Sequence, residues 1–335
     1  GSTLQWIEDF LTDRMQQVVV DGEVSDVAPV TSGVPQGSVL GPFLFLAFIN
    51  DMPECVTSRC RLFADDSIIY RKIDNDDDAG ALQKDLDALQ KWESDWGMSF
   101  NPKKCNTIHV SRKRQPSNHV YTLKDTALET VDDATYLGVN LSNNLDWHKQ
   151  TAKVVAKANR SLGFVRCNVR TATKETKVLA YQALVRPITE YASTVWSPHQ
   201  KDLIQDLEMT QRRAARYVTK QYSRHDSVTK MLDDLGWETL EQRRAKARTA
   251  MTFRIVNRLV AIPDSQFIPS TEKTRGHSKK FRQIGTKTNY HKLKHSFFPS
   301  SITLWNSLPD SFATAVSTEI FRTRLKDTHV KLPQR

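Results

Sequence analysis

Apolar residues recur at two different spacings along the chain, and the spacing changes at residue 148. Before that point, short runs rich in β-branched and aromatic residues are separated by turn residues. This pattern predicts strands over 14–20 and 24–30 around Asp21-Gly22, and a hairpin over 61–70. From His148 onward, apolar residues recur every three or four positions, which is the helical spacing. The pattern favours an α+β chain whose strands precede a mostly helical part.

Two helices are predicted among the strands. Residues 3–13 place apolar side chains on one face, and Ser2 or Thr3 is expected to cap the first turn. A second helix follows the acidic stretch 74–78, whose carboxylates suit the N-terminal end of a helix dipole, and Gly97 is expected to end it. Its predicted core positions are Leu82, Leu86, Leu89, Trp92 or Glu93, and Trp96.

Four further helices are predicted after the spacing changes. They start at His148, at about Thr173, at Asp202 and after Trp237, and Pro187 should kink or divide the second of them. The apolar stripe of the second helix is predicted at Leu179, Leu184, Ile188 and Tyr191. The outward faces of the other three are predicted to carry Lys153, Lys157, Arg160, Arg212, Arg213, Arg216, Arg243, Arg244, Lys246 and Arg248.

The charges are unevenly distributed along the chain. The first 100 residues carry 7 Lys and Arg and 18 Asp and Glu, a balance of −11, and since the whole chain carries +10, the remainder carries +21. Clustered basic charge of this size is typical of a protein that binds a polyanion such as nucleic acid. A soluble protein with uneven charge is the plainer alternative. With 335 residues, the chain is long enough for two or three domains.

Composition also bears on the compartment. No run of 18 apolar residues occurs, so no membrane span is expected, and the N-terminus lacks the basic-then-apolar pattern of a secretion signal. Cys55, Cys60, Cys105 and Cys167 form neither a CxxC pair nor a Cys/His cluster. We interpret them as reduced thiols, with a Cys55–Cys60 disulfide as the less favoured alternative. An intracellular protein is therefore expected, with nucleus and cytoplasm both left open.

The strongest candidate for chemistry is the acidic pair Asp65-Asp66, at the predicted turn of the 61–70 hairpin. Apolar residues flank the pair on both sides, so we expect a buried hairpin. Two adjacent carboxylates in such a place repel each other and need a cation. Mg²⁺ is the natural candidate, because it is usually held by one or two carboxylates together with substrate phosphates. For the pair taken alone, a solvated turn is the alternative.

Two other stretches precede this pair in a fixed order. Residues 33–38 read Gly-Val-Pro-Gln-Gly-Ser, and residues 43–53 form an apolar run that ends in Ile-Asn-Asp-Met-Pro. Together with Phe-Ala-Asp-Asp at 63–66, the ordered set resembles the reverse transcriptases of non-LTR retrotransposons, and among them the jockey and CR1 type. Trp-Ile-x-x-Phe-Leu-x-x-Arg at 6–14 is similar to a helix of the same family.

The resemblance implies a fold and an activity. The fold would be a partial reverse transcriptase palm over 1–125, an antiparallel sheet with helices. A primer-grip hairpin at 136–147, an all-helical thumb and a helical extension would lie within 126–262, followed by a basic C-terminal segment over 263–335. The activity would be RNA-directed DNA synthesis from deoxynucleoside triphosphates on an RNA template and a DNA primer. The oligomeric state stays open.

The resemblance also implies roles for single residues. Asp65, Asp66 and Lys103 would be catalytic: the two carboxylates would hold Mg²⁺, with Mn²⁺ as a substitute, and Lys103 or Lys104 would protonate pyrophosphate. A solvated lysine pair is the alternative there. The template and the incoming nucleotide would meet Gly33, Pro35, Gln36, Gly37, Ser38, Phe63 and Ala64. The nucleic acid would follow Lys153, Lys157, Arg212, Arg213, Arg243, Arg244, Lys279 and Lys280.

The end of the chain differs in composition. Residues 273–294 interleave Lys, Arg and His with Phe281 and Tyr290, a pattern that suits single-stranded nucleic acid. The stretches at 296–299 and 304–309 resemble the family's terminal segment and are expected to pack on the helical part. The expected core anchors are Phe298, Trp305 and Leu308.

In the family, another metal-binding Asp lies on a strand before the 6–14 helix, a position that would fall before Gly1. We therefore expect the C-terminal portion of such a polymerase, inactive by itself. A non-catalytic nucleic-acid-binding remnant of a retroelement is the alternative. A relic or interaction scaffold that has neither property is the third.

Overall fold

The fold comes from a computed structural model of the chain, which describes residues 1–111, 119–271, 277–285, 291–326 and 328. The chain divides into two units. The N-terminal unit comprises Gly1–Thr107 and Lys113–Thr130, and the C-terminal unit comprises Ile108–Arg112 and Val131–Arg335. Each unit has its own buried core. Within the described ranges, no helix is long and apolar enough to span a bilayer.

The N-terminal unit begins with a helix and an interrupted hairpin. These elements are α1 (Ser2–Leu11), β1 (Met15–Gln16), β2 (Val19–Val20), β3 (Glu23–Val24) and β4 (Ala28–Pro29). β1 pairs with β4 and β2 with β3, both antiparallel. The ladder is interrupted at Ser25, which exchanges hydrogen bonds with Val18. Asp21 and Gly22 both have left-handed φ, which suits a tight hairpin turn, so the predicted strand pair is confirmed as two short ladders.

A second hairpin and a long helix follow. These elements are α2 (Leu40–Ile49), a 3₁₀ turn (Met52–Cys55), β5 (Arg59–Phe63), β6 (Asp66–Tyr70) and α3 (Asp76–Asp95). At the start of α3, the Asn75 side chain accepts from the Asp78 amide, and the Asp78 carboxylate accepts from the Asn75 amide. At its end, Gly97 has φ +63°, and the Met98 amide donates to the Glu93 carbonyl at 3.0 Å. Both predicted ends of this helix are confirmed.

The core of the N-terminal unit is formed by α2, the 3₁₀ turn, β5 and α3. Its buried residues are Ile49, Met52, Cys60, Leu86, Leu89, Trp92 and Tyr121. Trp96, predicted as core, is instead exposed, because it lies past the last buried turn and contacts Phe48 edge to face. The remaining elements are a 3₁₀ turn (Pro102–Lys104), β7 (Asn106–Thr107), β8 (Thr122–Leu123), β9 (Thr126–Ala127) and β10 (Glu129–Thr130). β8 and β9 form a hairpin, and β7 pairs with β10 in parallel.

The C-terminal unit begins with a hairpin and continues as helices. Its first elements are β11 (Asp133–Tyr136), β12 (Val139–Ser142), α4 (His148–Asn168), α5 (Lys174–Leu184), α6 (Arg186–Glu190), α7 (Lys201–Thr219), α8 (Val228–Asp234) and α9 (Leu240–Val256). The hairpin turns at Leu137-Gly138, both with left-handed φ. The predicted division by Pro187 is confirmed, because it lies at the start of α6. The short helix α8 was not predicted.

Four helices close the described part of the C-terminal unit: α10 (His291–Lys294), α11 (Phe297–Asn306), α12 (Asp310–Ala313) and α13 (Thr318–Lys326). α11 and α13 pack against α9, where Phe253 and Ile255 share one cluster with Trp305 and Phe321. Trp305 and Leu308 are buried and Phe298 packs on the same cluster, so the three predicted anchors are confirmed.

The predicted apolar face of α5 and the predicted cap of α1 were wrong. On α5, Lys177, Tyr181 and Val185 are buried, whereas Leu179 and Leu184 are exposed. The contacts of Tyr181 fix which face of α5 is buried. Its ring stacks on Trp237 with centroids 4.3 Å apart, and its hydroxyl donates to Gln211 at 3.1 Å.

The N-terminal cap of α1 is the second of these. The cap position is Gly1, without a side-chain hydrogen bond, in place of Ser2 or Thr3. The helix begins one residue earlier than predicted, so both hydroxyl side chains fall inside its first turn.

Candidate active site and nucleic-acid surface

The acidic pair lies at the tip of the β5–β6 hairpin. Ala64 and Asp65 form the two-residue turn, and Asp66 pairs with Phe63 at the end of the ladder. Ala64 has φ +50°, a left-handed conformation that costs a residue with a Cβ atom about 1–2 kcal/mol. The carboxylates of Asp65 and Asp66 are exposed, and neither side chain forms a hydrogen bond or ion pair with another described residue.

The hairpin is more exposed than predicted. Successive residues of a strand point to opposite faces, so the register directs Cys60, Leu62 and Ile69 toward the core. The other face carries Phe63 and Asp66, and both are exposed. The expectation of a fully buried hairpin was therefore wrong, because only one of its two faces packs on the core. The Asp65 and Asp66 carboxylates are therefore accessible to a ligand.

A buried carboxylate positions this hairpin. Asp85 of α3 accepts hydrogen bonds from the backbone amides of Thr57 and Ser58, each at 2.8 Å, just before β5 begins. Although burial opposes ionisation, the hydrogen bonds from Ser58 and Thr57 outweigh it and hold the pKa of Asp85 below its ordinary value. Arg71, just after β6, donates to the Thr57 hydroxyl at 3.1 Å. Asp85 therefore fixes the start of the hairpin to α3, and Arg71 joins the other end of the hairpin to the same residue, Thr57.

Sequence reasoning missed the role of Asp85. The signal was present, because Asp85 lies between the predicted core positions Leu82, Leu86 and Leu89 of an amphipathic helix. An acidic side chain on an apolar face is costly unless several donors satisfy it.

The glycine-rich loop leads into α2. Arg14 donates to the carbonyl oxygen of Gly33 at 2.6 Å, which ties the loop to the end of α1. The Ser38 hydroxyl accepts from the Gly41 amide at 3.0 Å and so caps the first turn of α2. A Cβ atom at Gly41 would lie 3.0 Å from that hydroxyl and 3.1 Å from the Pro35 carbonyl, so only glycine fits without rearrangement. Gln36 and Gly37 are exposed beyond this fixed turn.

Lys103 is held on a short turn in the same unit. The Asn101 side chain accepts from the Lys103 amide at 3.1 Å and caps the 3₁₀ turn. Both Lys103 and Lys104 are exposed. A role for Lys103 at pyrophosphate stays a prediction.

The predicted basic faces of α4 and α7 are exposed and adjacent. Lys153 and Lys157 lie on the outer side of α4, and Arg212 and Arg213 on the outer side of α7. Arg213 donates to Asn159 of α4 at 3.2 Å, which joins the two faces. We call this surface the α4–α7 basic face and define it by the exposed residues Lys153, Lys157, Arg160, Arg212 and Arg213. It can follow a phosphate backbone.

An outward basic face was predicted for α9, and this prediction was wrong. None of its four predicted basic residues is exposed. Arg244 is buried and donates to the carbonyl oxygens of Trp196 (3.0 Å) and Thr189 (2.6 Å), and its guanidinium lies 4.1 Å from the Trp196 ring centre. Arg243 forms a two-point ion pair with Glu190. These contacts satisfy backbone and carboxylate acceptors inside the fold, which is why both guanidinium groups turn inward.

Lys246 likewise turns inward, toward Glu238 and the Lys326 carbonyl oxygen. Among the described residues of the basic stretch 273–294, two turn inward, His277 and Phe281. Phe281, expected to stack on bases, is buried against Phe267 and Trp305. Lys279 is exposed and Lys280 partly so, while Tyr290 lies outside the described residues.

Metal ligands are sparse around the hairpin tip. Among the residues that the structure describes, no group of three or more Asp, Glu, His or Cys side chains could hold a metal ion. The four cysteines are free thiols. Asp65 and Asp66 therefore offer two adjacent carboxylates, and the described part of the chain groups no third Asp, Glu, His or Cys with them. This donor set fits Mg²⁺, which takes its remaining ligands from water and phosphate.

Comparison with known proteins places these features in a family. Residues 1–141 match the family model of "Reverse transcriptase (RNA-dependent DNA polymerase)". This match contains the glycine-rich loop, the hairpin with Asp65 and Asp66, and Lys103. This part of the chain is thus similar to reverse transcriptases, and the curated relatives that the chain matches are RNA-directed DNA polymerases of mobile elements.

The curated relatives come from mobile elements of flies. The chain is 25% identical over 225 residues to the RNA-directed DNA polymerase from mobile element jockey of Drosophila melanogaster, covering 64% of this chain and 24% of that protein. It is 28% identical over 226 residues to the probable RNA-directed DNA polymerase from transposon BS of the same species, covering 64% and 25%. The chain thus spans about a quarter of the length of the curated relatives that it matches.

Proposed function

We propose that the chain is part of an RNA-directed DNA polymerase, and that Asp65 and Asp66 hold the divalent metal for nucleotidyl transfer. The observation that carries the proposal is the exposed, unpaired acidic pair on a fixed hairpin tip inside a reverse transcriptase family match. When bound, Mg²⁺ would stabilise charge on the attacking and leaving oxygens of the reaction. Mn²⁺ would substitute because it also accepts carboxylate oxygens.

The chain's own residues would orient the reactants. The loop from Gly33 to Ser38, with Pro35, Gln36 and Gly37, would meet the template and the incoming deoxynucleoside triphosphate, and Phe63 and Ala64 would lie beside the metal-bound phosphates. The Lys103 ammonium group would donate a proton to the departing pyrophosphate. The α4–α7 basic face would hold the RNA template and the DNA primer by their phosphates.

Two carboxylates alone would hold the metals incompletely. A two-metal site generally uses further carboxylate ligands, and the described residues bring none to Asp65 and Asp66. We propose that another carboxylate, contributed from outside the described residues, completes the site. The purified chain is then expected to bind primed RNA and to extend the primer weakly or not at all.

Primer extension tests the proposal. In the jockey polymerase, the stretch that aligns with residues 1–141 would be replaced by those residues, and extension of a DNA primer on an RNA template would be measured with Mg²⁺. We expect extension by this chimera and at least about a hundredfold loss on Asp65→Asn, because a metal ligand is removed.

The matched control is Asp77→Asn, which removes the same charge from the first turn of α3 and should leave extension unchanged. A chimera that binds primed RNA but extends equally well with and without Asp65→Asn would contradict the proposal. Strong extension by the purified chain alone, lost on Asp65→Asn, would contradict only its incompleteness.

The alternative function is nucleic-acid binding without catalysis. The observation that favours it is the α4–α7 basic face, which lies in a different unit from Asp65 and Asp66. This alternative predicts salt-sensitive RNA binding that survives Asp65→Ala and Asp66→Ala together, with no extension by the chimera. A scaffold of neither kind would show no RNA binding at all.

A further inference from the structure

A cleft of about 240 Å³ opens in the C-terminal unit. It is lined by the segment before α4, the segment between α6 and α7, the middle of α9, and residues 293–297. The lining side chains that matter here are Trp147, His199, Gln200, Arg248, His295 and Phe297.

Arg248 carries a positive charge that the fold leaves uncompensated. Its Nε atom is buried and has no hydrogen-bond partner, and its side chain forms no ion pair with any described residue. Burial lowers the pKa of Arg248 to about 10, so the group is still charged at neutral pH. The nearby charge of Arg244 adds to the positive potential. The residue as a whole is only partly buried and lines the cleft, so a bound anion could reach its guanidinium group and supply the missing counter-charge.

The acidic residue of the lining does not supply this counter-charge. The Asp146 carboxylate accepts from the His148 amide at 3.2 Å and lies 3.5 Å from the His148 Nδ1 atom. Asp146 is therefore directed to the start of α4, and no ion pair joins it to Arg248 in the described structure.

The rest of the cleft suits a flat, partly polar molecule. Trp147 and Phe297 contribute aromatic surface, and the rings of His199 and His295 stack with centroids 4.1 Å apart and planes 2° from parallel. The Gln200 side chain has a buried Oε1 atom without a partner among the described residues, so it can accept from an N–H group. An anionic oxygen, a planar ring and an N–H donor occur together in a nucleotide.

We propose that this cleft binds one nucleotide unit, with the phosphate at Arg248 and the base against the aromatic lining. This goes beyond the polymerase proposal, because it needs neither Asp65 nor a metal. The nucleotide is either free in solution or part of a strand, and both present the same phosphate and base.

Calorimetric titration of the purified chain tests the inference. The probes are deoxyadenosine monophosphate and deoxyadenosine, which differ by the phosphate alone. We expect the monophosphate to bind roughly ten- to a hundredfold more tightly than the nucleoside, as one charge-assisted contact to a phosphate provides. Arg248→Gln should remove this difference, and Arg166→Gln, which removes the same charge from an exposed site on α4, should keep it.

A single-stranded deoxyadenosine oligonucleotide separates the two sources. If it displaces the monophosphate, the cleft accepts a nucleotide within a strand, and if it does not, the cleft takes a free nucleotide. Equal binding of monophosphate and nucleoside to the unaltered chain, or an unchanged preference in Arg248→Gln, would overturn the inference.

If Arg248→Gln folds poorly, the melting temperature of a second variant, Arg248→Met, tests the same inference. Replacing an unpaired, partly buried charge by an apolar side chain of similar length should raise the melting temperature of the free chain. The same change should abolish the rise that the monophosphate produces in the unaltered chain. A lower melting temperature for Arg248→Met would mean that Arg248 has a structural partner, which contradicts the inference.

Discussion

Two apolar helices of ten residues each, α2 and α11, have opposite environments. In α2, only Gly41 and Ile49 are buried, while Phe43 is 66% and Leu46 52% exposed. In α11, six residues are buried, and Trp305 lies at the centre of a cluster with α9 and α13. Apolar sequence alone does not decide burial, because a helix face needs a second surface to cover it.

The same contrast separates the two units. The C-terminal unit buries the Trp305 ring completely and gives Arg244 acceptors inside the fold. The N-terminal unit holds its hairpin firmly through Asp85, yet α1 buries none of its residues, and half of the residues of α2 are exposed. An exposed apolar face of this kind is typical of a surface that packs on another protein surface. We therefore expect the C-terminal unit to be the more resistant to unfolding.

The largest expected effect is on the C-terminal core. Trp305→Ala should lower the free energy of unfolding by about 3–5 kcal/mol, because it removes a fully buried indole and the hydrogen bond from its Nε1 atom to the Lys279 carbonyl. Urea unfolding followed by circular dichroism measures the loss. Phe43→Ala is the matched control in the exposed helix α2 and should lower the free energy of unfolding much less. If Phe43→Ala lowered it as much as Trp305→Ala does, the contrast between α2 and α11 would be contradicted.

Arg244→Ala should cost about 2–3 kcal/mol. It leaves the carbonyl oxygens of Thr189 and Trp196 without their donor and uncovers the Trp196 ring. The measurement is again the urea midpoint, with Arg212→Ala as the control for loss of an exposed arginine. If the two variants were equally stable, Arg244 would not be the internal support that its contacts indicate.

Asp85→Ala should cost about 1–3 kcal/mol at neutral pH, because the amides of Thr57 and Ser58 lose their acceptor. The folded-state pKa of Asp85 is lowered, so its contribution is present above the unfolded-state pKa of about 4 and is lost as pH falls through the folded-state value. The difference in the free energy of unfolding between the unaltered chain and Asp85→Ala should therefore become smaller in acid.

The control is Asp87→Ala, because Asp87 lies on the exposed side of α3, and the stability of this variant should differ little from that of the unaltered chain at any pH. If the difference for Asp85→Ala became larger in acid, the pKa of Asp85 would be raised in the folded chain and not lowered.

The smallest effect is expected on α2 itself. Phe43→Ser with Leu46→Ser should change the free energy of unfolding by less than about 0.5 kcal/mol, because both side chains are already in water. Light scattering should show less self-association than for the unaltered chain. A large loss of stability would show that this face is covered within the molecule.

Local patterns predicted much of this fold. The hairpins at Asp21-Gly22 and Asp65, the acidic start of α3 and the division at Pro187 follow from turn chemistry and spacing, which act over a few residues. The orientation of α5 and the inward turn of Arg243 and Arg244 did not follow. Both depend on partners about 30 to 55 residues away in the sequence, such as Gln211 and Trp196.

Some features of the candidate site could likewise be predicted from local sequence, and others could not. The motif indicates that Asp65 and Asp66 belong together at a turn, and the structure places them there. The support from Asp85 and the exposure of the tip depend on how α3 packs under the hairpin, which no local pattern contains.

Localised Mn²⁺ binding tests the central claim most directly. Paramagnetic broadening of backbone amide signals in the purified chain should centre on residues 63–67 and disappear in Asp65→Asn with Asp66→Asn. Broadening centred instead on the acidic start of α3, at Asp76–Asp78, and unchanged in that double variant would contradict a metal seat at the hairpin tip.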